Sequence, residues 1–592
     1  MNIPRGGPAH NLVFVNVCEW LHRITGDRRY VEFARFLYDT YNVPKDVAEH
    51  DILLRNLADM NKLFNGHAAH VMEHLQTPFF LYYATGDEKY RVAVDNALPK
   101  TARHVSACGG LIGDEDIHQR LASPNIAKEH CTAFELLNSL QSAVQKTGRA
   151  DWADWIERLI ANAAEAFRLH DGKALQYFTT ENQYEASRKR GHGARYKFSP
   201  THEDVAVCCP PTATKMFPYF VNYLWLREAG GSGLVAMVYA PSRLETKVGD
   251  VPVAIETETS YPFEDRVRMV VRLKSPARFT IRLRLPAWSA KTEITAAGAE
   301  MRNEKGWKIL SKTWNDGDTI SVSFSPKVER KMEANGDVYW QRGPLVYALP
   351  IASERTAIKK YPIEGFFDWD YTPKAGAFWD YALDEGCGDF VFQETQPDAA
   401  RRNWDAPGLS LTGHLFNRVT KRKEQVQLVP MAASILRRTT FTDMKCVRAL
   451  QGSANLARQA KAEASSESPD FSARGVNDGV VDGYPAHPEA EWASNKETTG
   501  AKIKLTWDKP VTIEYVWLFD RPNPSDNVKN AWINFSDGSS AMVDELPNDG
   551  QTPFRLDFPE KTITWMEVIV TRVGPRCRNA GFSEIAVFAK EP

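Results

Sequence analysis

The stretch 70–105, "HVMEHLQTPFFLYYATGDEKYRVAVDNALPKTARHV", decides the fold of the first part of the chain. Its apolar residues follow helical spacing, stop at a Thr-Gly-Asp turn and then resume, which indicates a helical hairpin. The same pattern occurs at 11–42, again with "TGDxxY", and at 133–167, with "TGRADW". Three such copies predict an α/α toroid or solenoid of hairpins over residues 1–232, in which each hairpin buries its apolar face against the next.

Beyond residue 232 the hydrophobic period changes from helical to alternating. Segments such as "RFTIRLRLPAW" and "DTISVSFSPKVER" predict one or more β-sandwich domains over 233–447. The polar, weakly periodic segment 448–469 is predicted to be a linker. Alternation returns in "AKIKLTWDKPVTIEYVWLFDR", so 470–592 is predicted to form a compact β-sandwich. We therefore expect a multidomain protein with a helical domain followed by sandwiches.

Composition narrows the range of partners. The chain has 592 residues with a net charge of -2, which gives no support to binding of nucleic acid or of a membrane surface. No apolar run is long enough for a transmembrane helix, and the start "MNIPRGGPAHNLVF" lacks the pattern of a secretory signal. A cytoplasmic location is expected if this is the true start, and a secreted or periplasmic one is compatible with a truncated start. Eight cysteines are too sparse for a disulfide framework, so reduced thiols are expected.

Four residues suggest a metal site. The segment "KEHCTAFELLNSL" offers Glu129 and Cys131 at the start of a helix, and "AVCCPPTATK" offers the adjacent pair Cys208 and Cys209. One carboxylate and three thiolates form a suitable tetrahedral zinc set. The spacing matches no standard zinc finger, however, and inert buried cysteines are the alternative interpretation.

Two further clusters could carry chemistry. The loop "CGGLIGDEDIHQR" holds Asp114, Glu115 and Asp116, which could serve as acid and base or could simply be solvated. The segment "NGHAAHVMEH" sets His67 at the head of a histidine stripe that could bind a metal or a sugar hydroxyl. Helix histidines with a purely structural role are the alternative.

The order of these motifs resembles glycoside hydrolase family 127 and its DUF1680 relatives. The resemblance runs from the N-terminus to about residue 440, and its most specific piece is the separated pair of "ExC" and "CCPP"; "RGPLVYALP" and "LVPMAASILRRTTF" support it. It implies an (α/α)6-type barrel with an attached β-sandwich, a zinc ion, an oligo- or polysaccharide substrate, and retaining hydrolysis of a furanoside by a cysteine nucleophile. The favoured linkage is a β-L-arabinofuranoside.

Matched residue by residue, the resemblance assigns roles. Cys208 falls on the nucleophile and Glu115 on the nearest match to the acid/base, with Asp114 and Asp116 as rivals. His67 and Tyr177 fall where the family contacts its sugar. The zinc ligands it implies are Glu129, Cys131, Cys208 and Cys209.

The chain also departs from the family pattern. Thr212 and Lys215 stand where the family usually has Asn and Arg. The first hairpin resembles a middle hairpin of the family, so the resemblance leaves open a barrel that is incomplete at its N-terminus or closed by a second subunit, as in a homodimer.

The last domain resembles a different group. "GVNDGVVDG" followed by "EWASN" is similar to discoidin or F5/8 type C sandwiches. That resemblance implies a glycan-binding module or a plain accessory sandwich, with calcium as a second candidate ion. Two functions therefore stand after the sequence: a zinc-dependent retaining exo-glycosidase, and a catalytically inactive carbohydrate-binding protein with a structural zinc.

Overall fold

The structure is a computed structural model, and its N-terminal part is helical, as predicted. Its α-helices are Phe14–Thr25, Arg29–Tyr41, Leu54–Ala58, Ala68–His74, Gln76–Thr85, Glu88–Ala102, His130–Thr147, Ala150–Arg158 and Cys209–Asn222, and the π-helical segment Leu159–Ala164 continues the eighth. The structure describes residues 11–42, 52–117, 119–190, 194–205, 208–333, 337–395, 404–481, 483, 488–523, 525–547 and 552–589.

The three Thr-Gly turns explain why the hairpins repeat. Gly26, Gly86 and Gly148 each follow a helix with φ between 66 and 69°, a conformation that ends a helix at little cost only when the residue lacks a Cβ. The threonine before each glycine donates its hydroxyl to the carbonyl four residues earlier and accepts the N–H two residues later. The conformation of each turn is therefore determined by its own threonine and glycine. The paired helices pack into one apolar core.

A long connection interrupts the helices after Glu88–Ala102. The connection after helix Glu88–Ala102 is fixed by His104, which is fully buried. Its Nε2 accepts the N–H of Phe64 at 3.2 Å, and its Nδ1 donates to the carbonyl of Arg120 at 2.6 Å. His104 therefore anchors the loop that contains Asp114, Glu115 and Asp116.

A β-sandwich follows the helices, and its first sheet already includes Trp225–Arg227, before the predicted boundary at 233. The two sheets enclose one core that contains Leu234, Ile255 and Trp314. In spatial order, the first sheet is Glu300–Glu304, Trp307–Trp314, Ala277–Arg284, Gly233–Ala236 and Trp225–Arg227, and the second is Ser289–Thr295, Thr319–Pro326, Arg266–Leu273, Val251–Glu258 and Ser242–Val248.

A second β region joins the sandwich to the helical domain. Its eight-stranded sheet contains Val328–Met332, Val338–Arg342, Leu345–Pro350, Arg422–Pro430, Leu409–Asn417, Tyr381–Ala382, Val391–Glu394 and Arg437–Arg438. A four-stranded sheet pairs Ser353–Lys360 and Phe367–Pro373 with two short strands of the helical domain, Phe198–Ser199 and Leu175–Gln176. This shared sheet fixes these two short strands of the helical domain against the β region.

The segment 448–469, which the sequence predicts to be a linker, is structured instead. It contains the end of helix Met444–Gln451, the 3-10 helix Leu456–Gln459 and strand Lys461–Ala464, which pairs with Lys502–Asp520. Its polar composition reflects an edge strand whose side chains alternate between exposed and partly buried positions. The C-terminal β-sandwich therefore begins before residue 470.

The C-terminal sandwich is built around two long strands. Lys502–Asp520 and Phe554–Val573 pair along most of their length, and register shifts let them bend. The remaining strands are Trp492–Ala493, Val528–Phe535, Ser540–Val543 and Gly581–Phe588. No helix of the described residues is long and apolar enough to cross a membrane.

The buried His104 makes the helical domain sensitive to acid. Burial lowers the pKa of His104 to about 4, below the value of about 6.5 expected in the unfolded chain. Its contribution to stability is therefore complete above pH 6.5 and is lost as the pH falls toward 4, by about 3 kcal/mol in all. We expect His104→Asn to be less stable than the unchanged protein at pH 7.5, and the difference to shrink at pH 4.5.

Calorimetry or urea denaturation at the two pH values measures this difference. His414→Asn is the matched control, because His414 is exposed on a strand of the β region. A difference between His104→Asn and the unchanged protein that stays constant over this pH range would contradict the role given to His104.

Candidate active site and metal centre

The candidate site lies where three neighbouring helices begin. Helix His130–Thr147 packs against both Ala68–His74 and Cys209–Asn222. The residues in the N-cap positions of the three helices are His67, Glu129 and Cys208. Helix N-termini carry unsatisfied N–H groups and a positive partial charge, so this arrangement favours anionic side chains at the site.

Glu129, Cys131, Cys208 and Cys209 form a group that could hold a metal ion. One ligand atom from each lies within 4.8 Å of all the others. The Cys131 and Cys209 sulfurs are 3.2 Å apart, and the Cys208 and Cys209 sulfurs are 4.0 Å apart. Glu129 Oε1 lies 3.8 Å from Cys208 Sγ and 3.7 Å from Cys209 Sγ. A tetrahedral zinc site needs about 3.8 Å between sulfurs and about 3.6 Å between sulfur and oxygen, so the residues present fit the ion.

The burial of this group argues for a cation. Glu129 and Cys209 are fully buried, and Glu129 Oε2 accepts no hydrogen bond from the described residues. Burial and the neighbouring Cys208 raise the pKa of Glu129, and burial raises the pKa of Cys209. Acidic groups gathered in this way are costly to ionise, and a bound cation removes that cost.

Cys208 differs from the other two thiols. It is exposed, whereas Cys131 and Cys209 are buried. Hydrogen bonds from Cys131 and Cys209 lower the pKa of the Cys208 thiol, and a contact with Tyr177 acts in the same direction. The Tyr177 hydroxyl lies 3.1 Å from Cys208 Sγ. Cys208 is therefore the thiol of the group that meets solvent and that favours the thiolate form.

Tyr177 reaches the site through a short strand pair. Lys128–Glu129 pairs with Phe178–Thr179, and the N–H of His130 donates to the carbonyl of Tyr177 at 3.1 Å. This pairing brings Tyr177 beside Glu129, although 48 positions separate them in the sequence numbering. The structure therefore places Tyr177 next to the predicted nucleophile.

His67 lies beside the metal group without belonging to it. Its Nε2 is 3.9 Å from Glu129 Oε2, and its Nδ1 accepts the N–H of Ala69 as a helix cap. Its ring stacks on His70 with centroids 4.4 Å apart, and His70 stacks in turn on His74 at 6.4 Å. The predicted histidine stripe therefore exists, and only its first member borders the candidate site.

The three acidic residues of the loop have different partners. Asp114 is paired with the buried guanidinium of Arg120, and Asp116 pairs with Arg576 of the C-terminal sandwich at 2.8 Å. Glu115 is about one-third exposed and adopts φ of 80°, an uncommon conformation for a residue with a side chain. Its carbonyl accepts the N–H of Ala68, which fixes the loop to the helix beginning at the site. Strain of this kind is found at functional positions, which favours Glu115 among the three acids.

Arg195 is a site residue that the sequence does not reveal. Its Nη2 lies 2.7 Å from Glu115 Oε1, and its guanidinium lies 5.3 Å from the centroid of the Tyr177 ring. It thus connects the predicted acid/base to the tyrosine that contacts Cys208. Arg195 stands in the segment "GARYKF", which carries no motif, so only the folded arrangement identifies it.

Thr212 and Lys215, which depart from the family pattern, contact other residues of the helical domain. Thr212 Oγ1 lies 3.6 Å from Cys131 Sγ and donates to the carbonyl of Cys208 at 2.8 Å. Lys215 lies 5.6 Å from the centroid of the Phe134 ring. Thr212 therefore supports the metal group directly, whereas Lys215 lies further along its helix.

The predicted calcium site has less support. Burial raises the pKa of Glu584, and it raises that of Asp478 to about 6. Glu584 accepts hydrogen bonds from Gly479 N–H and from the Asn455 side chain. Within the described ranges, the group around Glu129 is the one that brings three or more metal-binding side chains together, so calcium stays a prediction.

Comparison with protein families gives two matches in order along the chain. The model of the beta-L-arabinofuranosidase GH127 catalytic domain matches residues 9–222, and that of the GH127 middle domain matches 233–325, so the two span more than half of the chain. A third model, a domain of unknown function called DUF7402, matches 455–588. No curated protein matches the chain.

Several solved structures share the fold. The GH127 beta-arabinofuranosidase BT3674 is 18% identical and superposes with a TM-score of 0.56, covering 72% of this chain and 68% of that one. A GH127 beta-L-arabinofuranosidase from Geobacillus stearothermophilus T6 is 21% identical, with a TM-score of 0.53, covering 72% and 70%. A further glycoside hydrolase is 18% identical, with a TM-score of 0.56, covering 75% and 76%.

A domain of helical hairpins followed by β-sandwiches, with these family matches, defines a glycoside hydrolase. The chain belongs to glycoside hydrolase family 127, whose catalytic and middle domains it contains in order.

The different exposure of the three thiols predicts selective chemistry. After removal of metal with a chelator under reducing conditions, we expect iodoacetamide to modify Cys208 about tenfold faster than Cys131 or Cys209, because it is exposed and favours the thiolate. Peptide mass spectrometry over a time course measures the three rates. Cys387, a partly exposed cysteine of the β region, serves as an internal reference. Faster labelling of Cys131 or Cys209 than of Cys208 would contradict this assignment.

Proposed function

We propose that the protein is a zinc-dependent retaining exo-glycosidase that releases β-L-arabinofuranose or a related sugar from glycans. The observation that carries this proposal is the exposed Cys208 sulfur at the edge of a buried group able to hold a metal. Glu129, Cys131, Cys208 and Cys209 would hold the zinc ion, which would keep the thiols ionised at neutral pH.

The proposed reaction has two displacement steps. Cys208 Sγ forms a bond to the anomeric carbon as the bond to the leaving oxygen breaks, and Glu115 gives that oxygen its proton. Glu115 then takes a proton from water, whose oxygen bonds to the anomeric carbon as the carbon–sulfur bond breaks. The Cys208 thiolate is restored, and the sugar leaves with retained configuration.

Neighbouring side chains orient the reacting groups. The Tyr177 hydroxyl, 3.1 Å from Cys208 Sγ, donates a hydrogen bond that orients the thiolate. Arg195 holds the Glu115 carboxylate, and its contact with the Tyr177 ring connects the acid/base to the nucleophile. His67, whose side chain is about one-quarter exposed beside Glu129, is placed to contact a sugar hydroxyl. The positions of Tyr177 beside Cys208 and of His67 beside Glu129 support the sugar contacts that the resemblance implies for them.

A catalytically inactive carbohydrate-binding protein is the second candidate. This second function is favoured by the ion pair between Glu115 and Arg195. The Glu115 carboxylate contacts Arg195 and makes no direct contact with Cys208 among the described residues. In that case the metal group would serve stability alone. The homodimer and the glycan-binding role of the last sandwich stay predictions.

Replacement of the acid tests the proposed chemistry. We expect Glu115→Gln to lower kcat for a methyl β-L-arabinofuranoside about 100-fold to 1,000-fold, because a poor leaving group needs a proton. The p-nitrophenyl glycoside should lose far less in the first step, so the sugar should accumulate on Cys208. Mass spectrometry of the trapped protein identifies the attachment site.

Glu203→Gln is the matched control, because Glu203 is exposed and pairs with Lys359. A selective loss in Asp114→Asn or Asp116→Asn instead would assign the acid to that residue. A sugar found on a carboxylate would show that the cysteine mechanism is wrong. Binding of glycans without turnover of either substrate would favour the inactive binding protein.

The proposed zinc site leads to a separate prediction. Protein purified under reducing conditions should contain about one zinc per chain by elemental analysis, and removal of the ion should lower the melting temperature, because its ligands come from two helices and the residues preceding them. Cys209→Ser should reduce both zinc content and melting temperature. Cys387→Ser, outside the group, is the control. A zinc-free protein that is equally stable would contradict the metal assignment.

A further inference from the structure

The C-terminal sandwich reaches the rim of the candidate active site. Arg576 Nη2 lies 2.8 Å from Asp116 Oδ2, although the two residues are 460 positions apart. Asp116 directly follows Glu115, and its backbone forms a β-bridge with His67, which borders the metal group. The loop that carries Arg576 is therefore next to the site.

The sandwich is held in this position by helix Met444–Gln451. Met444 packs with Ala382 and Phe416 of the preceding β region. Ala449 and Leu450, at the other end of the helix, pack in a cluster of the C-terminal sandwich. The helix thus belongs to two apolar clusters at once, and this fixes the sandwich relative to the preceding β region.

The loop Gly574–Asn579 is itself well ordered by hydrogen bonds. Asp526 Oδ1 accepts the N–H groups of Arg578 and Asn579 at 2.8 and 3.3 Å. Its Oδ2 pairs with the buried Arg521 at 2.8 Å. Arg576 is therefore presented from a rigid loop toward the active-site rim.

The acidic loop is anchored without help from Arg576. The N–H of Ala68 donates to the Glu115 carbonyl at 2.7 Å, and the N–H of Ile117 donates to the carbonyl of Gly66 at 3.0 Å. The buried Arg120 pairs with Asp114. The contact of Arg576 with Asp116 thus adds little to the support of this loop, and the Arg576 side chain remains 64% exposed.

We propose that Arg576 binds the sugar on the leaving-group side of the cleaved bond. This inference rests on the proposed function, in which Glu115 protonates the leaving oxygen. Because Arg576 contacts Asp116, the residue directly after that acid, the proposal places it on the same side of the cleaved bond. The Asp116 carboxylate orients one edge of the Arg576 guanidinium, and its other N–H groups suit the hydroxyl oxygens of a sugar. The substrate is then a glycan in which the released furanose is attached to at least one further sugar.

Comparison of two substrates tests this role. We expect Arg576→Ala to lower kcat/KM for a β-L-arabinofuranosyl disaccharide about tenfold more than for p-nitrophenyl β-L-arabinofuranoside, chiefly through KM, because the aryl group offers no hydroxyl to Arg576. Arg576→Lys should restore part of the loss. Arg578→Ala is the matched control, since Arg578 is exposed on the same loop and its backbone N–H is bound by Asp526. Equal losses on both substrates, or none, would overturn the inference.

A binding experiment separates this inference from the proposed function. In Cys208→Ser protein, calorimetry should show that Arg576→Ala weakens binding of the disaccharide about tenfold and changes the binding of L-arabinose less. If the unchanged protein hydrolyses neither substrate, the hydrolase proposal fails, and a selective loss of disaccharide binding still supports the role of Arg576. Unchanged disaccharide binding in Arg576→Ala would overturn that role whatever the activity.

Discussion

The gathering of three thiols and a carboxylate in one largely buried place is the constraint on which the rest of the site depends. Groups that are acids in water lie within 4.8 Å of one another, and Glu129 is withdrawn entirely from solvent. Desolvation penalises the charged forms, whereas a cation bound between the groups reverses that penalty. The rest of the site then follows, because hydrogen bonds within the same group also make Cys208 the thiol that favours the thiolate form.

The helix N-termini place positive partial charge near these four residues even before an ion binds. Three helices aim their positive ends at the group, and the helix that carries the cysteine pair has Pro210 and Pro211 in its first turn. Proline has no N–H, so positions 210 and 211 supply no amide donor that would satisfy the sulfurs in place of a metal. The sequence "CCPP" thus places two sulfur ligands at a helix start whose two prolines have no N–H group to donate to them.

The parts of the fold that could be predicted from the sequence are those that local chemistry determines. The Thr-Gly turns identify the hairpins because each threonine and glycine satisfies its own helix end. The residue types alone suggest the metal group, but they leave inert cysteines as an alternative, since 79 positions separate Glu129 from Cys208 and no spacing rule joins them. Arg195 and the φ of Glu115 depend on tertiary packing and have no signature in the sequence. The prediction of a linker at 448–469 is wrong for a related reason: its strand forms by pairing with Lys502–Asp520, far away in the chain, which its own polar composition does not show.

The helix Met444–Gln451 has a consequence for how this architecture could be altered. Because it fills clusters on both of its sides, a chain cut before Met444 would uncover Ala382 and Phe416, and a cut after Gln451 would leave Tyr515 and Phe519 exposed on the severed sandwich. Either break exposes apolar surface, which promotes aggregation of the fragments. The last sandwich is therefore not an interchangeable appendage: a transplant to another catalytic domain would have to carry the helix and also supply apolar residues for Met444 to pack against.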